Sequence, residues 1–175
     1  MTIHAIRHLR TSWNDEGLMQ GLTDIELLES DALNNSLIAS ISDELEQVKP
    51  DLVLVSPLKR AVQTADRLGL DYSIEPLVSE MSFGRFEGLP KTQMLDEMSD
   101  SWLGDPLASD LKGEFEQLEI RIRLFLEKYE MNPIILIVSH GAFIRGLISI
   151  INSGSLTGMN ERIVENGKLI TMQVD

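Results

Sequence analysis

Two kinds of hydrophobic pattern alternate along the chain. Asp51–Ser56 and Pro133–Ser139 are short, nearly continuous apolar runs, the pattern of parallel strands buried on both faces. Thr2–Arg7, Ser73–Pro76 and Leu169–Val174 are further strand candidates. Between them lie segments that read as helices: Glu29–Val48, Leu58–Leu68, Glu114–Glu130 and Ala142–Ile151. In Glu114–Glu130 the apolar residues Phe115, Leu118, Ile122, Phe125 and Leu126 recur at near-helical spacing, with charges elsewhere. Pro57 suits a first helical position, with Ser56 as cap. Gly69 and Gly154 stand where helix ends are expected.

This alternation predicts the α/β class: a three-layer sandwich with a mainly parallel central sheet and helices on both faces. A length of 175 residues suits one domain, residues 1–175, with room for a sizeable core. No repeat, low-complexity tract or linker divides it. Lys91–Gly113 breaks the pattern. It is polar and acidic, with Asp96, Glu97, Asp100, Asp105 and Asp110, and it carries Trp102. It reads as an excursion from the sheet, a small cap near the site.

The formal net charge of −13 argues against nucleic acid, which needs a basic patch. No apolar run approaches the roughly 20 residues that span a bilayer. No charged segment followed by an apolar one marks a signal peptide. With no cysteine there is neither a disulfide nor a thiolate metal site, and a cytoplasmic location is expected. The sequence leaves a homodimer open.

The chemistry concentrates at the ends of the predicted strands. Arg7 and His8 follow the first, Ser56 ends the second, and His140 follows the apolar run 133–139. Ligands of open α/β sheets bind outside the carboxyl ends of the strands, so these motifs converge on one edge. The helices expected at Pro57 and Ala142 would also offer free N–H groups to an anion there. A guanidinium grips phosphate with paired hydrogen bonds, which suits Arg7 and Arg60. A neutral imidazole can attack phosphorus, which suits His8. His4 and His8 share a His-x-x-x-His spacing, but on a strand four residues span roughly 13 Å, too far to share one ion. No metal and no nucleotide cofactor is expected. His4 reads as a core or strand-edge residue, and Arg10 as a solvated one.

Four segments carry a resemblance. Arg7, His8, Thr11, Trp13 and Asn14 fit R-H-G-x-[TS]-x-W-N, with Leu9 at the glycine. Ser56 to Ala65 fit S-P-x-x-R-A-x-Q-T-A in full. Glu80, Phe83, Gly84, Glu87 and Gly88 fit L-x-E-x-x-F-G-x-x-E-G, with Val78 at the leucine. Val138 to Gly141 fit V-S-H-G. In this order and spacing the chain resembles the phosphoglycerate mutase-like branch of the histidine phosphatase superfamily, and among its members the small phosphatases of the α-ribazole phosphatase type. The resemblance implies a phosphomonoesterase acting on a small phosphorylated metabolite through a phosphohistidine at His8. Arg7, Asn14 and Arg60 would bind the phosphoryl group, and His140 would donate to one of its oxygens. By sequence alone Glu80 and Glu87 compete for the proton donor, a role that calls for a raised pKa. The resemblance assigns it to Glu80 and leaves Glu87 a structural part, in support of an Arg.

The departures matter as much. Leu9 would strain the backbone or shrink the pocket if the usual glycine serves a positive φ or a close approach. Residues 21–35 resemble G-x-x-D-x-x-L-[ST]-x-x-G-x-x-Q-A. There Gly21, Asp24 and Leu27 match, while Leu28, Asp31, Asn34 and Asn35 do not. Altered specificity is therefore expected. The alternatives are a phosphoglycerate mutase, a protein phosphohistidine phosphatase, and a non-catalytic phosphate-binding protein. The acidic 91–113 stretch, placed at the pocket mouth, predicts substrates with neutral or cationic remainders. Trp102 either anchors the cap or stacks on a substrate ring.

Overall fold

In a computed structural model, which describes residues 1–29 and 31–174, five strands form one sheet in the order β3-β2-β4-β1-β5. They are β1 (Thr2–Arg7), β2 (Leu52–Val55), β3 (Ser73–Ile74), β4 (Ile134–Ser139) and β5 (Leu169–Gln173). All neighbours are parallel except β1 and β5. The helices are α1 (Ser12–Asp15), α2 (Ala32–Leu45), α3 (Lys59–Arg67), α4 (Lys91–Met98), α5 (Lys112–Tyr129) and α6 (Gly141–Ser153). This is the expected α/β class. Among the described residues, no helix is long and apolar enough to cross a membrane.

The apolar run of β4 splits by side-chain alternation. Ile135 and Ile137 join the core with α5 and α6, where Phe115, Leu118, Ile122, Phe125, Phe143 and Leu147 are buried. Leu136 and Val138 face the other way, into a cluster with Ile6, Val55, Ile41 of α2, and Ala61 and Ala65 of α3. A strand covered on both faces must be apolar at every position, which is why it reads as a continuous run. Gly146 lets α6 approach α5: a Cβ there would lie 2.8 Å from Ile122 Cδ1.

Several element ends differ from expectation. Helix α2 begins at Ala32, capped by the Asp31 side chain on the N–H groups of Leu33 and Asn34. Glu29 lies outside the helix, and Ser30 lies outside the described residues. Pro57 does not open α3. The helix starts at Lys59, whose N–H donates to Asp24 Oδ1 (2.8 Å), a cap that comes from a distant part of the chain. Pro76 opens a 3₁₀ turn rather than ending β3. The excursion after residue 90 folds as α4 followed by 3₁₀ turns at Ser99–Trp102 and Pro106–Ala108. Met94, Met98 and Trp102 bury its underside, with Trp102 between Phe83 and Phe115 at ring separations of 6.2 and 5.8 Å.

Candidate active site

The strands that carry the motifs are neighbours. Arg7 pairs with Ser139 and Val55 with Val138, so the residues just beyond them, His8, Ser56 and His140, stand in a row at the carboxyl ends of β1, β2 and β4. Backbone bonds extend the ladder through them: His8 N–H donates to Ser139 O, and Ser56 N–H to Val138 O. A cavity of about 700 Å³ opens in front of this edge. It is lined by Arg7, His8, Asn14, Arg60 and Glu80 among others, so five of the six expected site residues face one space.

His8 is 3% exposed, and its Nδ1 lies 2.6 Å from Leu9 O. A carbonyl can only accept, so Nδ1 carries the proton and Nε2 keeps its lone pair. Burial first, then the charges of Arg60 and Arg7, hold the ring well below its ordinary pKa. At neutral pH it is an uncharged base with a fixed tautomer.

Leu9 does not shrink the site. Its side chain is wholly buried in the cluster with Leu27, Ile41 and Ala61, away from the cavity lining. Its N–H donates to Thr64 Oγ1 (2.9 Å) and its carbonyl accepts from His8. The expected constriction is therefore overturned: the residue points into the core on the far side of the turn.

Arg60 is 1% exposed and is held by three acceptors: Gly21 O (2.7 Å), Thr23 O (2.9 Å) and His140 Nδ1 (3.2 Å). Burial lowers it to about 10, against the opposing charges of Glu80 and Asp24. Glu87 supports this Arg through the backbone. Its carboxylate accepts from the N–H groups of Leu22 and Thr23, the Thr23 hydroxyl and Phe83 N–H, fixing the loop whose carbonyls grip Arg60. Arg7 donates from Nη1 to Val164 O (2.6 Å), and its buried Nε has no partner among the described residues. Gly141 makes room here, since a Cβ would lie 3.5 Å from the Arg7 guanidinium carbon and 3.2 Å from Arg145 Nη1.

His140 sits behind His8, with ring centroids 5.2 Å apart, and is fully buried rather than lining the cavity. Its Nδ1 accepts from Arg60, so the proton lies on Nε2, which donates to Ser56 Oγ (2.7 Å). Burial, with Arg60, His8 and Arg7, holds this ring well below its usual pKa as well.

Glu80 is buried, and its Oε1 accepts from Met81 and Phe143 N–H while its Oε2 accepts from Ala142 N–H. The two helix starts expected to be free for an anion are thus occupied, α6 by Glu80 and α3 by Asp24. Arg121 of α5 secures the Glu80 loop by donating to the carbonyls of Leu77, Ser79 and Glu80. Asn14 closes a capping box at α1, where its Oδ1 accepts from Thr11 N–H. Its amide N–H pair is what it can offer the cavity. Arg10 also lines the cavity and pairs with Asp15, while His4 lies away from the site, against Thr171.

The sequence reading missed the cavity's other wall. Of the chain's 15 Lys and Arg, seven line this space: Arg7, Arg10, Arg60, Lys91, Arg145, Arg162 and Lys168. Of the Asp and Glu among the described residues, only Glu80 and Glu165 do. The site is locally cationic within an acidic chain. The excursion contributes Lys91 and Trp102 to it, while Glu97 and Asp110 turn outward to Arg85. The expectation of neutral or cationic remainders loses its premise, because among the described residues the acidic side chains of 91–113 do not line the cavity. Arg145 could have been found, since it stands four residues after Gly141 on the same helix face. Gln20, whose Oε1 is buried without a partner among the described residues, and Asn166, which donates to His8 O (2.8 Å), carry no sequence signal of that kind. Among the described residues, no group of three His, Asp or Glu side chains could hold a metal.

The comparisons agree with this geometry. Residues 3–175 match the histidine phosphatase superfamily (branch 1). A putative phosphoserine phosphatase 2 of Hydrogenobacter thermophilus is 27% identical, over 99% of this chain and 89% of its own. The α-ribazole phosphatase of Shigella flexneri superposes with a TM-score of 0.79 at 26% identity, covering 100% of this chain and 91% of its own. A phosphoserine phosphatase of Entamoeba histolytica, solved with 3-phosphoglyceric acid, gives 0.78 at 25% identity over 97% and 89%. The chain therefore belongs to branch 1 of the histidine phosphatase superfamily, and it is a phosphatase.

Proposed function

We propose that this chain, as a single domain, hydrolyses phosphate monoesters of small metabolites in two steps through a phosphohistidine at His8. The observation that carries this reading is the neutral His8, with Nδ1–H locked on Leu9 O and Nε2 free, in a cavity lined by cations. Nε2 attacks phosphorus and the ester P–O bond breaks. Glu80, whose Oε2 holds a single backbone N–H, hands a proton to the leaving oxygen. Water then attacks the phosphohistidine, Glu80 takes its proton, and phosphate leaves.

Positioning and charge do most of the work in phosphoryl transfer. Arg7 brings an unpartnered Nε to the phosphoryl oxygens. Arg60 spends three of its five N–H groups on the protein, leaving two and its charge. Asn14 adds its amide. His140 holds Arg60 through Nδ1, and its expected donation to a phosphoryl oxygen is not part of this reading, because turning its Nε2–H from Ser56 would also release Arg60.

The test is a rapid quench with labelled substrate. Phosphate trapped on the protein should be acid-labile and alkali-stable. His8→Ala should abolish it and lower turnover on the order of 10⁴-fold or more. Intact turnover in that variant would end the mechanism. A mutase reading gains from the cationic wall, which suits phosphoglycerates. Product analysis separates the two: 3-phosphoglycerate should yield free phosphate rather than an isomer.

A further inference from the structure

Arg145 is a cation without a matching anion. Helix α6 carries it to the cavity wall, where its Nε donates to Asn160 Oδ1 (3.1 Å). Its two terminal amino groups make no hydrogen bond among the described residues. None of the ion pairs among them includes it. The nearby carboxylate, Glu80, is turned to the N–H groups at the start of α6. Arg145 is half-buried, and a guanidinium fork matches a carboxylate or phosphate with two parallel bonds. Burial brings Arg145 down to about 10, with Glu80 opposing and Arg7 adding to the shift.

Asn160 does two things at once. Its Oδ1 accepts from Arg145 and its Nδ2 donates to Trp102 O (3.0 Å). Gly158 N–H reinforces the same junction by donating to Gly104 O (3.1 Å). A single buried amide thus fixes the direction of the guanidinium and ties it to the cap. Lys91, at the head of α4, lines the same space.

We propose that Arg145, aimed by Asn160, is a specificity-determining residue that takes an anionic group, a carboxylate or a second phosphate, on the part of the substrate beyond the transferred phosphoryl group. This rests on the phosphatase reading above and names its substrate class: small monoesters with a second negative charge. Arg145 binds and does no chemistry, and Asn160 is a positioning residue.

The test uses matched pairs. Phosphoserine and phosphoethanolamine differ by one carboxylate; fructose 1,6-bisphosphate and fructose 6-phosphate differ by one phosphate. The wild-type protein should prefer the anionic member of one pair, and which pair tells carboxylate from phosphate. Arg145→Met should lower that preference in kcat/KM by about 10- to 100-fold, mostly through KM. Arg145→Lys should keep part of it, and Asn160→Ala should lower it by less. If Arg145→Met does not fold, the Lys and Asn160 variants carry the same comparison. An unchanged preference in these variants, or equal losses on both members of a pair, would overturn the assignment. A wild-type protein that releases phosphate from all four without preference would overturn it while leaving the phosphatase reading standing. Release from none of them, nor from p-nitrophenyl phosphate, would overturn both.

Discussion

The two walls of the cavity are built on opposite principles. At the strand ends, nearly every polar group is already spoken for: Arg60 by two carbonyls and a ring nitrogen, His8 by Leu9 O, Glu80 by three N–H groups. On the wall that α6 and α4 contribute, Arg145 and Lys91 line the space with little or no partner among the described residues. The first arrangement fixes geometry before any ligand arrives, as catalysis by preorganised charge requires. The second leaves affinity to be completed by whatever enters. On the proposals made above, chemistry and choice of substrate fall to different residues, and the two can be broken separately.

After His8→Ala, the largest effect is expected at Glu80. Glu80→Gln should slow hydrolysis of alkyl phosphates by roughly 10²–10⁴-fold, the usual contribution of general acid–base catalysis, and p-nitrophenyl phosphate far less. Equal losses on both would make Glu80 a helix cap that supports the site without donating a proton. Leu9→Ala comes next. It empties a fully buried position in the cluster under the His8 turn. The expected loss is about 2–5 kcal/mol of stability in denaturant melts. A neutral result would mean that the turn does not depend on that core.

A smaller effect should appear with pH. His8 and His140 are buried and held well below 6.5, so the unfolded chain binds protons that the folded one refuses. Stability should therefore fall as pH drops below 6.5 and keep falling down to the folded-state values, by up to about 1.4 kcal/mol per pH unit for each ring. Thermal melts between pH 7 and 5 check this, and His140→Asn should flatten the slope. The smallest effect is expected on the outer side of the cap. Arg85 and Glu97 form an exposed pair at 2.6 Å. Removing it should cost less than about 1 kcal/mol and leave substrate preference unchanged. A changed preference would extend the reach of the Arg145 and Lys91 wall beyond the residues that line it.

How much was legible in the sequence obeys the same division. The strand-end motifs were readable because they rest on local rules: an apolar run ends, and a His, Ser or Arg comes next. The position of Arg60 was readable as well, although its helix begins two residues later than Pro57 suggests. At that start Asp24 accepts from Lys59 N–H, a tertiary contact that no local pattern announces. The occupied start of α6 was hidden for the same reason, because Glu80 arrives from a loop 62 residues away. The wall from α4 and α6 was misread. The acidic residues of 91–113 were counted by their place in the chain, whereas α4 and the turns after it send Glu97 and Asp110 outward and Lys91 inward. Net charge describes the chain; side-chain direction decides the field a substrate meets.

The turn bearing His8 is anchored from two sides. Leu9 N–H is bound to Thr64 Oγ1 of α3, and Leu9 itself belongs to the apolar cluster under the sheet. Opening this turn alone would break that bond and expose a core residue, so it has no inexpensive local route. The proposed nucleophile should thus stay in register until α2 and α3 lift from the sheet. On heating, catalysis and tertiary structure should then vanish together, and no inactive but folded species should accumulate on the way.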